Sequence, residues 1–226
     1  MNAKDKLKGT GNLALQINDA VCKRYAVAPI DQSETVAYCR EPEEVFEAFF
    51  TALEPYPPSV LRLPMAVVLV EVANIYELME RTSKRKVKKI LKAITPAIRH
   101  AVREADVVVR YGRNRFAILL LGADEEMAGK VCQRLKEAVN RICYLKLGLP
   151  SQPALEFAIA EHIPGSQMDL AELVLGSGRT IRLARSLGGG VILKNSELKS
   201  GFRQHVISQF HIGEPCTPSY ILTDVD

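Results

Sequence analysis

A chain of 226 residues that is 47% hydrophobic and 25% charged has the make-up of an ordinary folded protein, so disorder is not expected. No apolar run reaches the roughly 20 residues of a membrane span, and the polar start from Met1 to Asn12 has no apolar core behind it. These features argue against a signal peptide or anchor and place the chain in the cytoplasm. The net charge of +4 is mild. Its excess is gathered in Lys84-Arg85-Lys86-Val87-Lys88-Lys89, which reads as the wet face of a helix because Val87, Ile90, Leu91, Ile94, Ile98 and Val102 form an apolar stripe beside it. Phosphate contact is the weaker alternative for that run, since no aromatic residues interleave it, and nucleic acid is an unlikely partner. Cys22, Cys39, Cys132, Cys143 and Cys216 show neither a Cys-x-x-Cys pair nor histidines at metal-ligand spacing, and read as reduced thiols.

In chain order, residues 1–60 form an extension or small subdomain. It holds an expected strand pair around Tyr25 to Ile30 and Glu34 to Cys39, then a helix from about Glu41 to Leu53 with Pro42 in its first turn. Glu54-Pro55-Tyr56-Pro57-Pro58-Ser59 cannot continue that helix and serves as a linker. Met65 to Val72 is aliphatic and β-branched, as suits a strand buried on both faces, with Glu71 near its end needing a partner. A short helix over Asn74 to Arg81 and a long one from about Ser83 to Arg103 follow, the second bent at Pro96.

Val107 to Tyr111 and Phe116 to Leu121 then flank a polar link, Gly112-Arg113-Asn114-Arg115, as a β-hairpin. Asp124 opens a helix to about Arg141. Ala154 to Ala160 is a strand, Met168 to Leu187 contains a helix, Gly188-Gly189-Gly190 stops it, and Val191 to Leu193 is a last short strand. The expected fold is therefore α/β of the α+β kind: a ferredoxin-like sheet of about five strands surrounded by helices, over residues 61–198, with a tail over 199–226.

Ala105-Asp106-Val107-Val108-Val109-Arg110-Tyr111-Gly112 followed by Phe116-Ala117-Ile118-Leu119-Leu120-Leu121-Gly122 resembles the signature region of GGDEF domains, the diguanylate cyclases that make cyclic di-GMP. The resemblance runs from about Met65 to Leu193, without a gap from Glu71 to Arg141. It implies a nucleotidyl-cyclase-like fold. It also implies loss: the family's turn reads Gly-Gly-Asp/Glu-Glu-Phe, and here stands Gly112-Arg113-Asn114-Arg115-Phe116. The family's first metal-binding acid corresponds to Glu71, the catalytic and metal-binding acids of the turn fall on Asn114 and Arg115, and the guanine-reading positions fall on Met79 and Lys88. Of the two cations that hold the triphosphate only the first is matched, by Arg185. Joining two GTP molecules needs divalent metal on carboxylate oxygens, which an amide and two guanidiniums cannot supply. No catalytic residue, no metal and no cofactor are therefore expected.

What the resemblance retains is an Arg-x-x-Asp product-binding site at Arg103-Glu104-Ala105-Asp106, with Arg134 on the next helix as its third member. An arginine fork can donate to guanine O6 and N7, and an aspartate can accept from the opposite edge. The plainer alternative is that Arg103 and Asp106 only pair with each other at a helix end, a contact worth roughly 0–1 kcal/mol. The expected function is a catalytically inactive receptor for cyclic di-GMP as regulatory ligand, signalling through a protein partner. The alternative is a nucleotide-independent scaffold in a bacterial signalling, polarity or motility pathway. His100, His162, His205 and His211 lack spaced partners and read as structural or surface residues.

Overall fold

The computed structural model describes residues 15–24, 36–57, 59, 62–142, 144, 152–164, 170–187 and 191–197. The strand expected over Tyr25 to Ile30, the stop at residues 188–190 and the tail lie outside these residues. The elements in order are α1 (residues 15–24), β1 (Ala37–Cys39), α2 (Pro42–Leu53), β2 (Met65–Val72), α3 (Ile75–Arg81), α4 (Lys84–Ala101), β3 (Val107–Tyr111), β4 (Arg115–Leu121), α5 (Glu125–Asn140), β5 (Leu155–His162), α6 (Leu170–Ser186), β6 (Ile192–Lys194) and the short α7 (Asn195–Glu197).

All eight residues of β2 are buried, and the strand lies inside one mixed sheet of order β1-β3-β4-β2-β5-β6. Its alternate side chains enter two separate cores. Ala66, Val68, Val70 and Val72 pack with Ile90, Ile94 and Ile98 of α4 and Leu135 and Val139 of α5. Met65, Val67 and Leu69 pack with Ile17 of α1, Val45 and Phe49 of α2, and Leu173 and Ile181 of α6. Helices on both faces explain why the strand reads as an unbroken aliphatic run rather than as an alternation. Each fully buried side chain of this kind is worth about 1.5–3 kcal/mol.

Among the described residues the sheet has six strands, where the pattern suggested about five. The additional one is β1, which pairs in parallel with β3 at Ala37↔Val109, Tyr38↔Arg110 and Cys39↔Tyr111. A strand was expected over Glu34 to Cys39 and is found at Ala37–Cys39, but it joins the main sheet, because a parallel partner some 70 positions away is set by tertiary packing. Through β1 and α2, residues before the proline-rich linker join the same sheet and the same core.

Helix α4 is capped by Ser83, whose hydroxyl accepts the Lys86 amide hydrogen, and runs on past Pro96 to Ala101. Its cations from Lys84 to Lys92 are exposed while its apolar stripe is buried. Asp124 caps α5 by accepting from the Met127 amide at 2.7 Å. Cys22, Cys39 and Cys132 are free thiols, the last two buried.

Candidate functional site

The hairpin β3–β4 connects two regions of different chemistry. At its turn, Gly112 has φ +58°, a left-handed conformation that glycine adopts without strain. Its amide donates to the Cys39 carbonyl at 3.0 Å. The link is one residue shorter than expected, because Arg115 belongs to β4 and sits opposite Tyr111. Asn114 is buried: its side-chain amide donates to the Val72 carbonyl at 2.9 Å and to Glu71 Oε1 at 3.3 Å, tying the turn to the end of β2. Arg113 is exposed.

Antiparallel register puts Arg115, Glu71 and Glu156 side by side across β4, β2 and β5, on the face that α6 covers. The Glu71 carboxylate is 2% exposed. Arg115 Nε donates to its Oε2 at 3.1 Å, and Arg185 of α6 donates to its Oε1. Arg115 also lies 5.9 Å from the centre of the Tyr111 ring, whose hydroxyl burial pushes up to about 12. Glu156 is buried and its Oε2 has no hydrogen-bond partner among the described residues. Burial first, then the charge of Glu71, hold its carboxyl above the ordinary range, against the opposing charge of Arg185. Glu71 thus finds the partners a buried carboxylate needs, in two guanidiniums and an amide.

A divalent cation at this centre would want several oxygen ligands. Glu71 presents oxygens already engaged by positive groups, and among the described residues no three His, Cys, Asp or Glu side chains gather at one point. The residues present do not fit a metal. Of the other positions that the resemblance aligns with substrate, Met79 packs partly buried against the core and Lys88 stands exposed on α4.

At the opposite end of the hairpin, a cleft of about 240 Å³ is lined by Arg103, Asp106, Leu120, Leu121, Ala123, Met127, Lys130, Val131 and Arg134. All three residues assigned to product binding thus face one opening, formed by the turn before β3, the end of β4 and one side of α5. Arg103 and Arg134 are exposed, and Lys130, bound to Glu126 at 2.7 Å, adds a third cation. Leu120, Leu121, Ala123, Met127 and Val131 supply an apolar floor on which a planar base can lie.

Neither Arg103 nor Asp106 lies in a regular element, although the helix was expected to run to about Arg103. Helix α4 stops at Ala101 and β3 starts at Val107. The turn between them is stiffened by hydrogen bonds. Asp106 Oδ2 accepts the Arg103 amide at 2.8 Å, the Leu121 amide also reaches this carboxylate, and the Asp106 amide donates back to the Arg103 carbonyl at 3.2 Å. Asp106 is 4% exposed, and burial raises its carboxyl above the usual range against the opposing effect of these amides and of Arg103 and Arg99. An ionised carboxylate has about four acceptor positions, so two amides leave room for a ligand. Its bond to Arg103 runs through the backbone, and the arginine fork remains in solvent.

Two side chains were not singled out from sequence for what they do here. Arg185 reaches Glu71 across 114 positions, which no local pattern encodes. Arg99 bonds three carbonyls of the turn before β3: Nη1 donates to Arg103 and Asp106, and Nη2 to Glu104, each at 3.0 Å. Its place in the last helical turn, where cations meet unpaired carbonyls, was the available signal.

The sequence profile described as "Diguanylate cyclase, GGDEF domain" matches residues 55–182, more than half of the chain. The chain therefore belongs to the GGDEF domain family. Solved structures agree in fold. The diguanylate cyclase SiaD from Pseudomonas aeruginosa, in complex with its activator SiaC, matches with TM-score 0.62 at 17% identity over 81% of this chain and 64% of that chain. The GGDEF domain of FimX from Pseudomonas aeruginosa gives 0.59 at 20% identity over 74% and 99%. The GGDEF domain of DgcB from Caulobacter crescentus, in complex with c-di-GMP, gives 0.59 at 10% identity over 72% and 93%. No curated protein matches the chain. No helix among the described residues is long and apolar enough to cross a membrane.

Proposed function

We propose that this chain is a GGDEF-family protein without cyclase activity, which binds cyclic di-GMP through Arg103, Asp106 and Arg134 and passes the binding event to a protein partner in a cytoplasmic signalling pathway. The observation that carries this reading is the convergence of those three side chains on one cleft with an apolar floor. Its cations outnumber its carboxylate, as suits a dianionic ligand, and its arginine forks are exposed rather than spent on internal pairs. The volume lies below the roughly 300–1,000 Å³ of pockets that engulf a ligand, so the cleft takes one guanine edge and leaves the rest of the dinucleotide outside. Support for the absence of catalysis comes from the guanidiniums on Glu71 and from Asn114 and Arg115 in the turn.

Equilibrium dialysis with labelled cyclic di-GMP, run beside a mass-spectrometric assay for product from GTP with Mg²⁺ or Mn²⁺, tests both halves. The expected result is saturable binding by the wild type, its loss in Arg103→Ala, and no product. Product that disappears on Glu71→Ala substitution would overturn the first half. Absent or Arg103-independent binding would overturn the second and favour the nucleotide-independent scaffold.

A further inference from the structure

The cleft has a component outside the three-residue motif. The end of a helix leaves carbonyls without partners and carries partial negative charge, and a nearby cation tends to fold back onto it. In this chain Arg99, in the last turn of α4, reaches past the helix end to the carbonyls of the following turn, beside Arg103. Arg99 holds the carbonyls of Arg103, Glu104 and Asp106 from two separate nitrogens. On the other side of the same turn, the Asp106 carboxylate holds the Arg103 amide. The segment that carries two of the three cleft residues is thus clasped from both sides, and among the described residues no ion pair or side-chain hydrogen bond draws in the Arg103 guanidinium.

We infer that Arg99 is the positioning residue of the cleft: by occupying the turn's carbonyls it keeps the Arg103 fork free and fixes its direction toward the ligand. The inference rests on the reading that this cleft binds cyclic di-GMP. Arg99 itself does not touch the ligand. It acts by preorganisation, so that Arg103 loses little freedom on binding. A lysine at position 99 keeps the charge, but its single nitrogen cannot hold the Glu104 carbonyl and the Arg103 and Asp106 carbonyls from two points.

The test is isothermal titration of the full chain with cyclic di-GMP, comparing wild type, Arg99→Lys, Arg103→Lys and the double variant, with thermal melts of each. Arg99→Lys is expected to melt cooperatively and to bind about tenfold more weakly. In the Arg103→Lys background, where there is no fork to position, the same change is expected to cost less than about twofold, a non-additivity that a merely structural role would not produce. Should Arg99→Lys unfold at the titration temperature, Arg99→Gln is judged by the same two criteria. Wild-type affinity in the position-99 variants, or losses that multiply in the double variant, would overturn the inference while leaving the cleft as the binding site. No binding by the wild type would overturn both.

Discussion

The two ends of the β3–β4 hairpin carry the same kinds of side chain and use them in opposite ways. They lie about 20 Å apart, the six residue steps from Asp106 along β3 to Gly112. At the turn, the buried Glu71 carboxylate is neutralised by guanidiniums, so Arg115 and Arg185 are both engaged by it. At the far end, the buried Asp106 carboxylate is satisfied by backbone amides and the neighbouring carbonyls by Arg99, so Arg103 and Arg134 stay in solvent. Whether an arginine is available to a ligand depends on what has already been assigned to the nearest carboxylate. The turn end is tied up in internal pairs, while the far end keeps the exposed cations that the proposed recognition requires.

The largest effect expected from breaking this contrast is at the turn. Removing both cations, as Arg115→Ala with Arg185→Ala, leaves Glu71 buried without a counter-charge and is expected to lower stability by about 3–5 kcal/mol in urea denaturation. Affinity for cyclic di-GMP should stay within about twofold; a parallel loss would mean that the two ends act as one site. Next is Arg103→Ala, with the reverse signature. Binding is expected to fall by about 1–3 kcal/mol, roughly ten- to a hundredfold in calorimetry, with stability unchanged within about 0.5 kcal/mol because the side chain is exposed.

Much of this architecture is legible in sequence where long runs of pattern speak. Strand β2 occupies Met65–Val72 as its aliphatic run foretells, and the stripe of Val87, Ile90, Leu91, Ile94 and Ile98 lies in the core as its spacing requires. The grouping of Arg103, Asp106 and Arg134 on one cleft was reachable only through the family register, since 28 positions separate Asp106 from Arg134 and α5 brings them together. What stayed hidden was set by distant packing. Three-residue β1 finds β3 only when the sheet assembles, and Arg185 finds Glu71 only when α6 lies over β2. Glu156 reads as one more polar residue of a strand until the register places it against Glu71.

Glu156 supplies a smaller, pH-dependent test of the closed end. Its carboxyl titrates above the ordinary range in the folded chain, so the native state takes up this proton more readily than the unfolded chain does. The stabilisation is full below the unfolded value of about 4.3 and is lost as pH rises through the higher folded value. Glutamine at position 156 has no such loss. Melting curves should therefore show Glu156→Gln gaining on the wild type between pH 4 and pH 7; a constant gap would mean that Glu156 is ionised and matched in the folded chain. Smallest of all is the effect of metal. With Glu71 held by guanidiniums, millimolar Mg²⁺ or Mn²⁺ is expected to leave the melting temperature unchanged, whereas a ligand that binds only the folded state would raise it.

Hydrogen–deuterium exchange with and without saturating cyclic di-GMP tests the division between the two ends most directly. Added protection is expected in the peptides covering residues 99–107 and 120–134, around Arg103, Asp106 and Arg134, with no change across residues 65–72 and 111–116. Protection of the turn around Gly112 and Asn114 with none at the cleft would contradict it.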